Sequence, residues 1–463
     1  MHPTILELGE QIRQRSVSPV ELTKQCLERI EQLNPLLNAF ITVTADAALA
    51  QAQQAESEIK SGHWRGPLHG IPVGLKDLID TAGIRTTAAS ALFKDRIPAA
   101  DAEVVRRLKN AGAVLLGKQN LHEFAYGASS VVSYYGAVHN PWNLAHIAGG
   151  SSSGSAASVA AGIGYGAIGT DTAGSIREPA ALCGTVGLKP TSGRVSARGV
   201  IPLSWSLDHV GPIAPSVADA AVLLHAIAGY DAGDPGSVDT PVTDYVAALQ
   251  EAPTPLRIGV PRPYFYDDLH PEIAAAVNHA LTVMATLSEE IRDIALPIPS
   301  NRIVRSAEAY AYHAEFVGHT PKLYQPETLR RIQSGARITA TEYIQGRREM
   351  EQIRRDITGV FKDVDVMVTP TVPVPPPTVA ELQQNADLLR ARELLLLRNT
   401  LPVNVWGLPA ISVPCGFTSD GLPIGLQIIG PHWGEAAILQ LAHAYEQATA
   451  WHKRQPKIVE PVP

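Results

Sequence analysis

The spacing of apolar and polar residues predicts two helices at the start of the chain. The first begins at SPVE (18–21), a capping sequence with proline at the first helical position. Apolar residues then recur at helical spacing: Leu22, Cys26, Ile30 and Leu33. Asn34-Pro35 is expected to end this helix, and an alanine-rich second helix is expected over residues 45–60. Residues 1–62 are therefore predicted to be a helical segment packed on the main body.

Short apolar runs that alternate with helical segments predict an α/β protein with a layered sheet. The expected strands cover residues 70–77, 113–117, 162–170, 207–213, 256–260, 364–368, 411–413 and 422–429. The last two flank a TSDG turn and are expected to pair as a hairpin. Further helices are expected over residues 101–111, 217–228 and 435–450. The acidic, Pro- and Gly-rich residues 230–255 indicate a surface connection.

Composition narrows the class of protein. The chain has 463 residues, a net charge of −7 and only 18% charged residues, so no basic surface for nucleic acid is expected. The three cysteines are far apart, which fits neither a disulfide framework nor a zinc site, and each is expected to be a small buried residue. No secretory signal or membrane-spanning run is found. We therefore expect a cytoplasmic protein with no membrane partner.

Residues 149–191 are unusually rich in Gly, Ser and Ala. Glycine inside an element costs about 0.5–1 kcal/mol relative to alanine, so its repeated use suggests that the backbone must approach other groups closely. Ser151 follows two glycines, and Ser175 follows Thr172-Ala173-Gly174. These serines and the nearby backbone N–H groups are predicted to form a nucleophilic site.

Two other interpretations of this stretch are weaker. GSSSG (150–154) matches the G-x-S-x-G elbow of α/β-hydrolases, but the elbow needs an apolar strand just before it, and NPWN (140–143) precedes it here. A phosphate-binding loop would require a following Gly-Lys-Ser/Thr, which is absent. Three histidines could pair with a serine, although none has a diagnostic setting: His122, His139 and His146.

A serine nucleophile with a lysine base is the interpretation that remains plausible. A buried lysine can be neutral and can take the proton of a serine hydroxyl. Lys76 ends an apolar strand, and Ser151 could relay the proton between Lys76 and Ser175. A tight turn can also supply backbone N–H groups to a developing oxyanion. The candidate oxyanion residues are Thr172, Ala173 and Gly174.

Several motifs together resemble the amidase signature family. They are GIPVGLKD (70–77), NLHEFA (120–125), GGSSSGS (149–155), GTDTAGSIREP (169–179), CGTVGLKPT (183–191), GPIA (211–214) and GLPAISVP (407–414). The resemblance covers about residues 65–215 and 400–455. It implies one domain over residues 1–463, with a large mixed, twisted sheet between layers of helices. In that domain, residues 65–215 would form the signature core, 230–350 a variable and partly helical cover, and 360–455 the end of the sheet.

The resemblance also implies residue roles. Ser175 would be acylated and Lys76 would be the base. Ser151, which a cis peptide bond holds in place in the family, would relay the proton between them. Asp171 and Arg177 are expected to pair and brace the turn before Ser175.

Two positions depart from the family pattern. Ala173 stands where glycine is frequent, which requires that its φ not be positive. His122 stands where aspartate is common, so an interaction that supports the site is expected to differ there.

The implied partner is a small amide-type substrate, with no cofactor, no metal and no direct nucleic-acid contact, in a monomer or homodimer. Substrate contacts are expected at Tyr126, Gly127 and Ser129. Several aromatic residues indicate an apolar substrate group or simply core: Trp205, Tyr310, Tyr312, Phe316 and Trp406.

The type of enzyme stays open between alternatives. The C-terminal segments resemble the glutaminase subunits of tRNA-dependent amidotransferases, whereas residues 300–350 look more like stand-alone amidases, which is the favoured prediction. Aryl amides, carbamates, ureas and esters are all compatible with the chemistry. A catalytically silent scaffold is a further alternative, although the three catalytic candidates Lys76, Ser151 and Ser175 are all present.

Overall fold

A large mixed sheet runs through the computed structural model, which describes residues 3–251, 255–299 and 302–458. Within these residues, eleven strands form the sheet in the order β1-β3-β2-β6-β8-β7-β12-β13-β11-β9-β10, and β4 and β5 form a separate pair. The strands are β1 (Phe40–Val43), β2 (Pro72–Lys76), β3 (Val114–Gln119), β4 (His139–Asn140), β5 (Asn143–Ile147), β6 (Ala167–Asp171), β7 (Val186–Lys189), β8 (His209–Ala214), β9 (Arg257–Pro261), β10 (Glu290–Ile294), β11 (Val366–Pro370), β12 (Ala410–Phe417) and β13 (Pro423–Ile429).

Helices cover both faces of this sheet. They are α1 (Ile5–Arg13), α2 (Pro19–Leu37), α3 (Ala45–Lys60), α4 (Glu103–Asn110), α5 (Ser153–Ala160), α6 (Arg177–Cys183), α7 (Val217–Ile227), α8 (Tyr245–Ala248), α9 (Arg262–Phe265), α10 (Pro271–Ala285), α11 (Ile303–His319), α12 (Pro326–Ser334), α13 (Ala340–Asp356), α14 (Val379–Gln384), α15 (Ala386–Leu396), α16 (Leu401–Trp406) and α17 (Glu435–Ala448). None of these helices is long and apolar enough to cross a membrane.

Alternation along the strands divides the core into two layers. Leu115 and Ile168 belong to a core cluster that includes residues of α1, α4, α7, α10 and α17. Their neighbours Leu116 and Ala167 belong to a second cluster, which includes residues of α2 and α5. Strands buried on both faces read as continuous apolar runs, which is why their positions were visible in the sequence. The layered α/β fold with a large mixed sheet is thus confirmed. The three cysteines are buried and unpaired, as expected.

The parallel pairing of β2 with β6 positions the functional residues. Gly74 lies opposite Ala167 and Leu75 opposite Ile168. The carboxyl ends of both strands therefore meet at one edge of the sheet, where ligands bind in many α/β proteins. Lys76 from β2 and the turn that follows β6 are brought together at this edge.

The first long helix corrects one sequence prediction. Helix α2 does not end at Asn34-Pro35 but continues to Leu37, with Pro35 inside it. Proline near a helix end removes only one intrahelical donor, so the last turn can still form. Asn38 caps the helix with a left-handed φ of 53°, and the Asn34 side chain accepts a hydrogen bond from the Phe40 N–H.

Residues 230–350, which were predicted to form a partly helical cover, also contribute two strands to the main sheet. Strands β9 and β10 come from this region and extend the sheet beyond β11 through parallel pairing. Helices α11, α12 and α13 also come from this region, so it is partly helical.

Candidate active site

Lys76 is the last residue of β2, and its side chain is completely buried. Its Nζ lies 2.7 Å from Ser151 Oγ and 2.8 Å from Thr170 Oγ1. Burial lowers the pKa of Lys76 to about 7, although the carboxylates of Asp171 and Asp208 act in the opposite direction. A substantial fraction of Lys76 is therefore neutral, and able to accept a proton, near pH 7.

The turn that carries Ser151 is held by a buried acid. The peptide bond between Gly150 and Ser151 is cis, and the Gly150 N–H donates to Glu178 Oε2 at 2.7 Å. Burial raises the pKa of Glu178 well above its usual value, which favours the neutral form of this side chain. Gly149 has a φ of 82°, and a Cβ there would lie 2.7 Å from the Glu178 carboxyl group. This close approach explains the glycine at position 149.

Ser175 lies next to the Ser151 turn. The Ser152 N–H donates to the Ser175 carbonyl at 3.2 Å. The Ser175 side chain is slightly exposed, and within the described residues its hydroxyl has no hydrogen-bond partner. The structure thus brings the segments of Lys76, Ser151 and Ser175 together at one edge of the sheet.

The turn before Ser175 presents free backbone donors. In the part of the chain that the structure describes, the N–H groups of Thr172, Ala173 and Ser175 have no acceptor. The Gly174 N–H, by contrast, donates to Asp171 Oδ1 at 2.7 Å. Of the three predicted oxyanion donors, Gly174 is therefore engaged and the other two are free. Gly174 has a φ of 143°, and Ala173 does not adopt a positive φ, as its side chain requires.

Asp171 and Arg177 form the expected brace under this turn. Arg177 Nε and Nη2 each lie 3.0 Å from an Asp171 carboxylate oxygen, and both side chains are completely buried. Burial by itself would raise the pKa of Asp171, but the guanidinium keeps it below its usual range. The remaining Arg177 donors reach Gln427, Thr400 and Asn404. Since internal partners occupy Arg177, its role is to hold the turn.

Comparison with known proteins agrees with this geometry. The family model described as Amidase matches residues 21–439. The chain belongs to the Amidase family. A glutamyl-tRNA(Gln) amidotransferase subunit from Geobacter sp. (strain M21) is 41% identical over 98% of both chains. This amidase is thus similar in sequence to an amidotransferase subunit over nearly its whole length.

Solved structures show the same fold. A 6-aminohexanoate cyclic dimer hydrolase complexed with substrate gives a TM-score of 0.89 at 30% identity, covering 98% of this chain and 99% of that one. A glutamyl-tRNA(Gln) amidotransferase subunit from Thermotoga maritima gives 0.81 at 32% identity, covering 99% and 98%. The chain therefore shares its architecture both with this cyclic dimer hydrolase and with an amidotransferase subunit.

Two of the predicted substrate contacts of this amidase are occupied by internal partners. Ser129 Oγ donates to Glu393 Oε1 at 2.6 Å, and the Ser129 N–H donates to the same oxygen. A Cβ on Gly127 would lie 2.0 Å from the ring of His122, so this glycine makes room for the histidine. Tyr126, whose ring faces Arg305 at 5.8 Å, is the predicted contact that remains.

His122, which lies beside Gly127, is a neutral side chain. It is completely buried, and burial lowers its pKa to about 4. Its Nδ1 accepts a hydrogen bond from the Ser130 N–H and lies 3.5 Å from Glu393 Oε1. The interaction at this position thus involves a neutral imidazole and the Glu393 carboxylate.

The alternative nucleophiles find no support. A short strand, β5, does precede GSSSG, which was not expected, but it belongs to the two-stranded pair and not to the main sheet. Ser152 Oγ donates to the Thr170 carbonyl. His139 and His146 contact the carbonyls of Leu144 and Pro376, and no histidine side chain within the described residues is hydrogen-bonded to Ser151 or Ser175.

The aromatic residues divide between core and surface. Trp406 is completely buried and packs near Phe265, so it is core. Tyr312 and Phe316 lie beside each other in an aromatic cluster. Trp205 is 52% exposed.

Several supporting residues were not predicted. Thr170 and Glu178 lie inside the motif GTDTAGSIREP (169–179), so their polar side chains near Ser175 were a signal in the sequence. Asp208, whose carboxylate accepts from Thr172 Oγ1 at 2.6 Å, and Glu393 lie outside the sequences quoted as motifs. No group of three side chains suited to a metal ion is found in the described ranges.

Proposed function

We propose that this amidase-family enzyme hydrolyses the C–N bond of a small amide through an acyl-enzyme on Ser175. The observation that carries the proposal is the buried Lys76 amine, 2.7 Å from Ser151 Oγ. It lies beside a turn with unpaired N–H groups. A neutral amine next to a hydroxyl is the arrangement that a serine nucleophile needs for activation.

The acylation step moves one proton along this chain of groups. Ser175 Oγ attacks the amide carbonyl carbon while its proton passes to Ser151 Oγ and the Ser151 proton passes to Lys76 Nζ. The carbonyl oxygen becomes an oxyanion, for which the N–H groups of Thr172, Ala173 and Ser175 are suitable donors. Donors fixed in a buried turn stabilise that charge more than water does.

Collapse of the tetrahedral intermediate releases the amine. The proton held by Lys76 returns through Ser151 to the leaving nitrogen as the C–N bond breaks, so the amine departs neutral. Water then attacks the ester on Ser175 with the same groups as base. Since carbamates and esters form the same kind of intermediate, the proposal includes them as substrates.

We expect kcat/KM for an amide to rise with pH through a midpoint near 7. The base must be neutral, and burial lowers the pKa of Lys76 to about 7. Below the midpoint the rate should fall about tenfold per pH unit, and above it the rate should level off. Steady-state kinetics from pH 5 to 9 test this, with tryptophan fluorescence as a control for unfolding. A flat profile between pH 6 and 8 in folded enzyme would contradict the role of Lys76.

A substrate panel tests the reaction class. We expect the purified chain, without ATP or tRNA, to hydrolyse at least one of an aliphatic amide, an aryl anilide and an aryl carbamate. Ser175→Ala should abolish this turnover, and a fluorophosphonate probe should label the parent chain but not the variant. An enzyme that folds but neither turns over the panel nor reacts with the probe would favour the silent scaffold.

A second candidate is the glutaminase subunit of a tRNA-dependent amidotransferase. Its support is the 41% identity to the amidotransferase subunit from Geobacter sp. over 98% of both chains. For that function we expect glutamine to be hydrolysed weakly by the chain alone and much faster after partner subunits have been added. Adding glutamine to the panel, with and without partner subunits, separates the two candidates, because a stand-alone hydrolase needs no partner.

A further inference from the structure

Asp208 lies beside the turn that precedes Ser175. It directly precedes β8, and the antiparallel pairing of β8 with β6 places His209 opposite Asp171. The next residues along the two strands, Asp208 and Thr172, are therefore neighbours. Asp208 Oδ1 accepts a hydrogen bond from Thr172 Oγ1 at 2.6 Å. The register of the sheet thus brings a carboxylate to a residue that carries a free oxyanion donor.

The other carboxylate oxygen of Asp208 is held by the loop that leads into β8. Its Oδ2 accepts from the N–H groups of Leu203 and Ser204 at 2.9 and 3.0 Å. This loop is fixed to α11, because Glu308 accepts from Ser204 Oγ at 2.6 Å and from the Ser206 N–H at 3.1 Å. The Asp208 carboxylate therefore has two backbone donors on one oxygen and the hydroxyl of the oxyanion turn on the other.

A fixed Thr172 hydroxyl also restrains the Thr172 backbone. Threonine is branched at Cβ, so few χ1 rotamers are available, and which of them is allowed depends on the backbone angles. Thr172 is 2% exposed, and its N–H has no acceptor within the described residues. An oxyanion donor is most effective when it is oriented before the reaction begins. The hydrogen bond to Asp208 provides this orientation.

The charge of Asp208 acts on the base as well. Burial raises the pKa of Asp208 to about 6, so most of this carboxylate is ionised at pH 7. Asp171 and Asp208 both oppose the effect of burial on the pKa of Lys76, and the titratable neighbour His122 is neutral. Lys76 becomes positive when Ser175 attacks, and a nearby anion stabilises that state. Loss of the Asp208 charge should therefore lower the pKa of Lys76 further.

We propose that Asp208 is a positioning residue, which orients the Thr172 N–H toward the oxyanion through the Thr172 hydroxyl and stabilises the positive charge that Lys76 gains. The inference rests on the proposed function and adds a residue outside the motifs quoted above. The oxyanion exists only after Ser175 has attacked. Loss of this hydrogen bond should therefore lower kcat and leave KM nearly unchanged.

A double-mutant cycle tests the hydrogen bond. Thr172→Val keeps the shape of the side chain and removes the donor, and Asp208→Ala removes the acceptor. We expect each to lower kcat about tenfold, with KM changed by less than about threefold. The double variant should lose no more than the weaker of the two single variants, because both substitutions remove one bond. Measurement at pH 9, above the midpoint of Lys76, keeps the charge effect out of the cycle. Losses that multiply in the double variant would overturn the proposal.

Asp219 provides the matched control. Its carboxylate also accepts from a hydroxyl, Ser216 Oγ at 2.7 Å, and from a backbone N–H, that of Ile5 at 2.6 Å, and burial raises its pKa to about 6. Neither partner belongs to the site. Asp219→Ala should lower the melting temperature and leave kcat of the folded enzyme unchanged. If Asp208→Ala did only the same, Asp208 would be merely structural and the proposal would be wrong.

The pH profile supplies a readout that lost packing would not change. Asp208→Ala should shift the midpoint of kcat/KM to lower pH, because it removes a negative charge near Lys76. Thr172→Val and Asp219→Ala should leave the midpoint in place. An unchanged midpoint in Asp208→Ala would overturn the electrostatic part of the proposal.

The rate of fluorophosphonate labelling separates this inference from the proposed function. In this reaction Ser175 Oγ displaces fluoride from phosphorus and its proton passes to the base, so no amide turnover is needed. If the parent reacts with the probe but hydrolyses no amide, the proposed function fails. Labelling about tenfold slower in Asp208→Ala than in Asp219→Ala would still support the inference. If the parent hydrolyses amides while these two variants behave alike, the inference fails alone. A parent that neither reacts nor hydrolyses amides would refute both.

Discussion

Lys76→Ala is expected to lower kcat at pH 7 by about a thousandfold or more while the protein stays folded. Ser175 cannot attack efficiently without a base, and general base catalysis contributes about 10²–10⁴-fold. Lys76 makes no ion pair within the described residues and contacts two hydroxyls, Ser151 and Thr170. Removal of the Lys76 side chain therefore loses two hydrogen bonds and some packing contacts. Lys76→Met keeps most of those packing contacts. Kinetics with the best amide of the panel, together with the melting temperature, measure both effects.

Lys118 offers a matched control for the loss of a buried lysine. It lies on the neighbouring strand β3 and is 1% exposed, but its Nζ donates to Thr86 Oγ1 and lies 3.8 Å from Asp77 Oδ1. Lys118→Met should lower stability, because it leaves Asp77 without its counterion, and should reduce kcat far less than Lys76→Met does. Equal loss of activity in both variants would mean that Lys76 acts through the fold and not as the base.

Local signals predicted those elements whose boundaries are set by neighbouring residues. Helix α3 covers Ala45–Lys60 as expected, and β12 pairs with β13 across the TSDG turn. Strand β10 was missed because EIRDI (290–294) is polar and lies at the sheet edge, where only part of each side chain is buried. The extension of α2 beyond Pro35 was missed because a proline near a helix end has a smaller effect than one at its centre.

The site could be predicted as far as it lies in continuous motifs. Lys76, Ser151 and Ser175 lie in three such motifs, and the Asp171–Arg177 pair lies within one of them. Glu393 and Arg305 could not be predicted, because tertiary packing brings them from distant helices without any local pattern. The partner of Ser129 could not be predicted for the same reason. In the sequence the Ser129 hydroxyl is available to a substrate, but in the structure it donates a hydrogen bond to Glu393.

Arg177→Met is expected to lower the free energy of unfolding by about 3–5 kcal/mol, the cost of removing one partner of a buried ion pair. The substitution leaves the Asp171 carboxylate buried without its counterion. It also leaves Gln427 Oε1 and the Thr400 carbonyl without the donors that Arg177 provides. Because Asp171 holds the Gly174 N–H, the turn before Ser175 should loosen as well, and kcat should fall in the molecules that remain folded. Urea unfolding at pH 7, with kcat measured below the transition, gives both quantities.

Arg262 provides the comparison that isolates burial. Its Nε lies 3.0 Å from Asp293 Oδ1, the same separation as in the Arg177–Asp171 pair, but its side chain is 43% exposed and that of Asp293 is 67% exposed. Water and salt screen such a pair, so Arg262→Met should change the free energy of unfolding by less than about 1 kcal/mol. The difference between the two variants then measures what it costs to leave Asp171 uncompensated. If Arg177→Met were as mild as Arg262→Met, the turn before Ser175 would be held by its backbone and not by the buried pair.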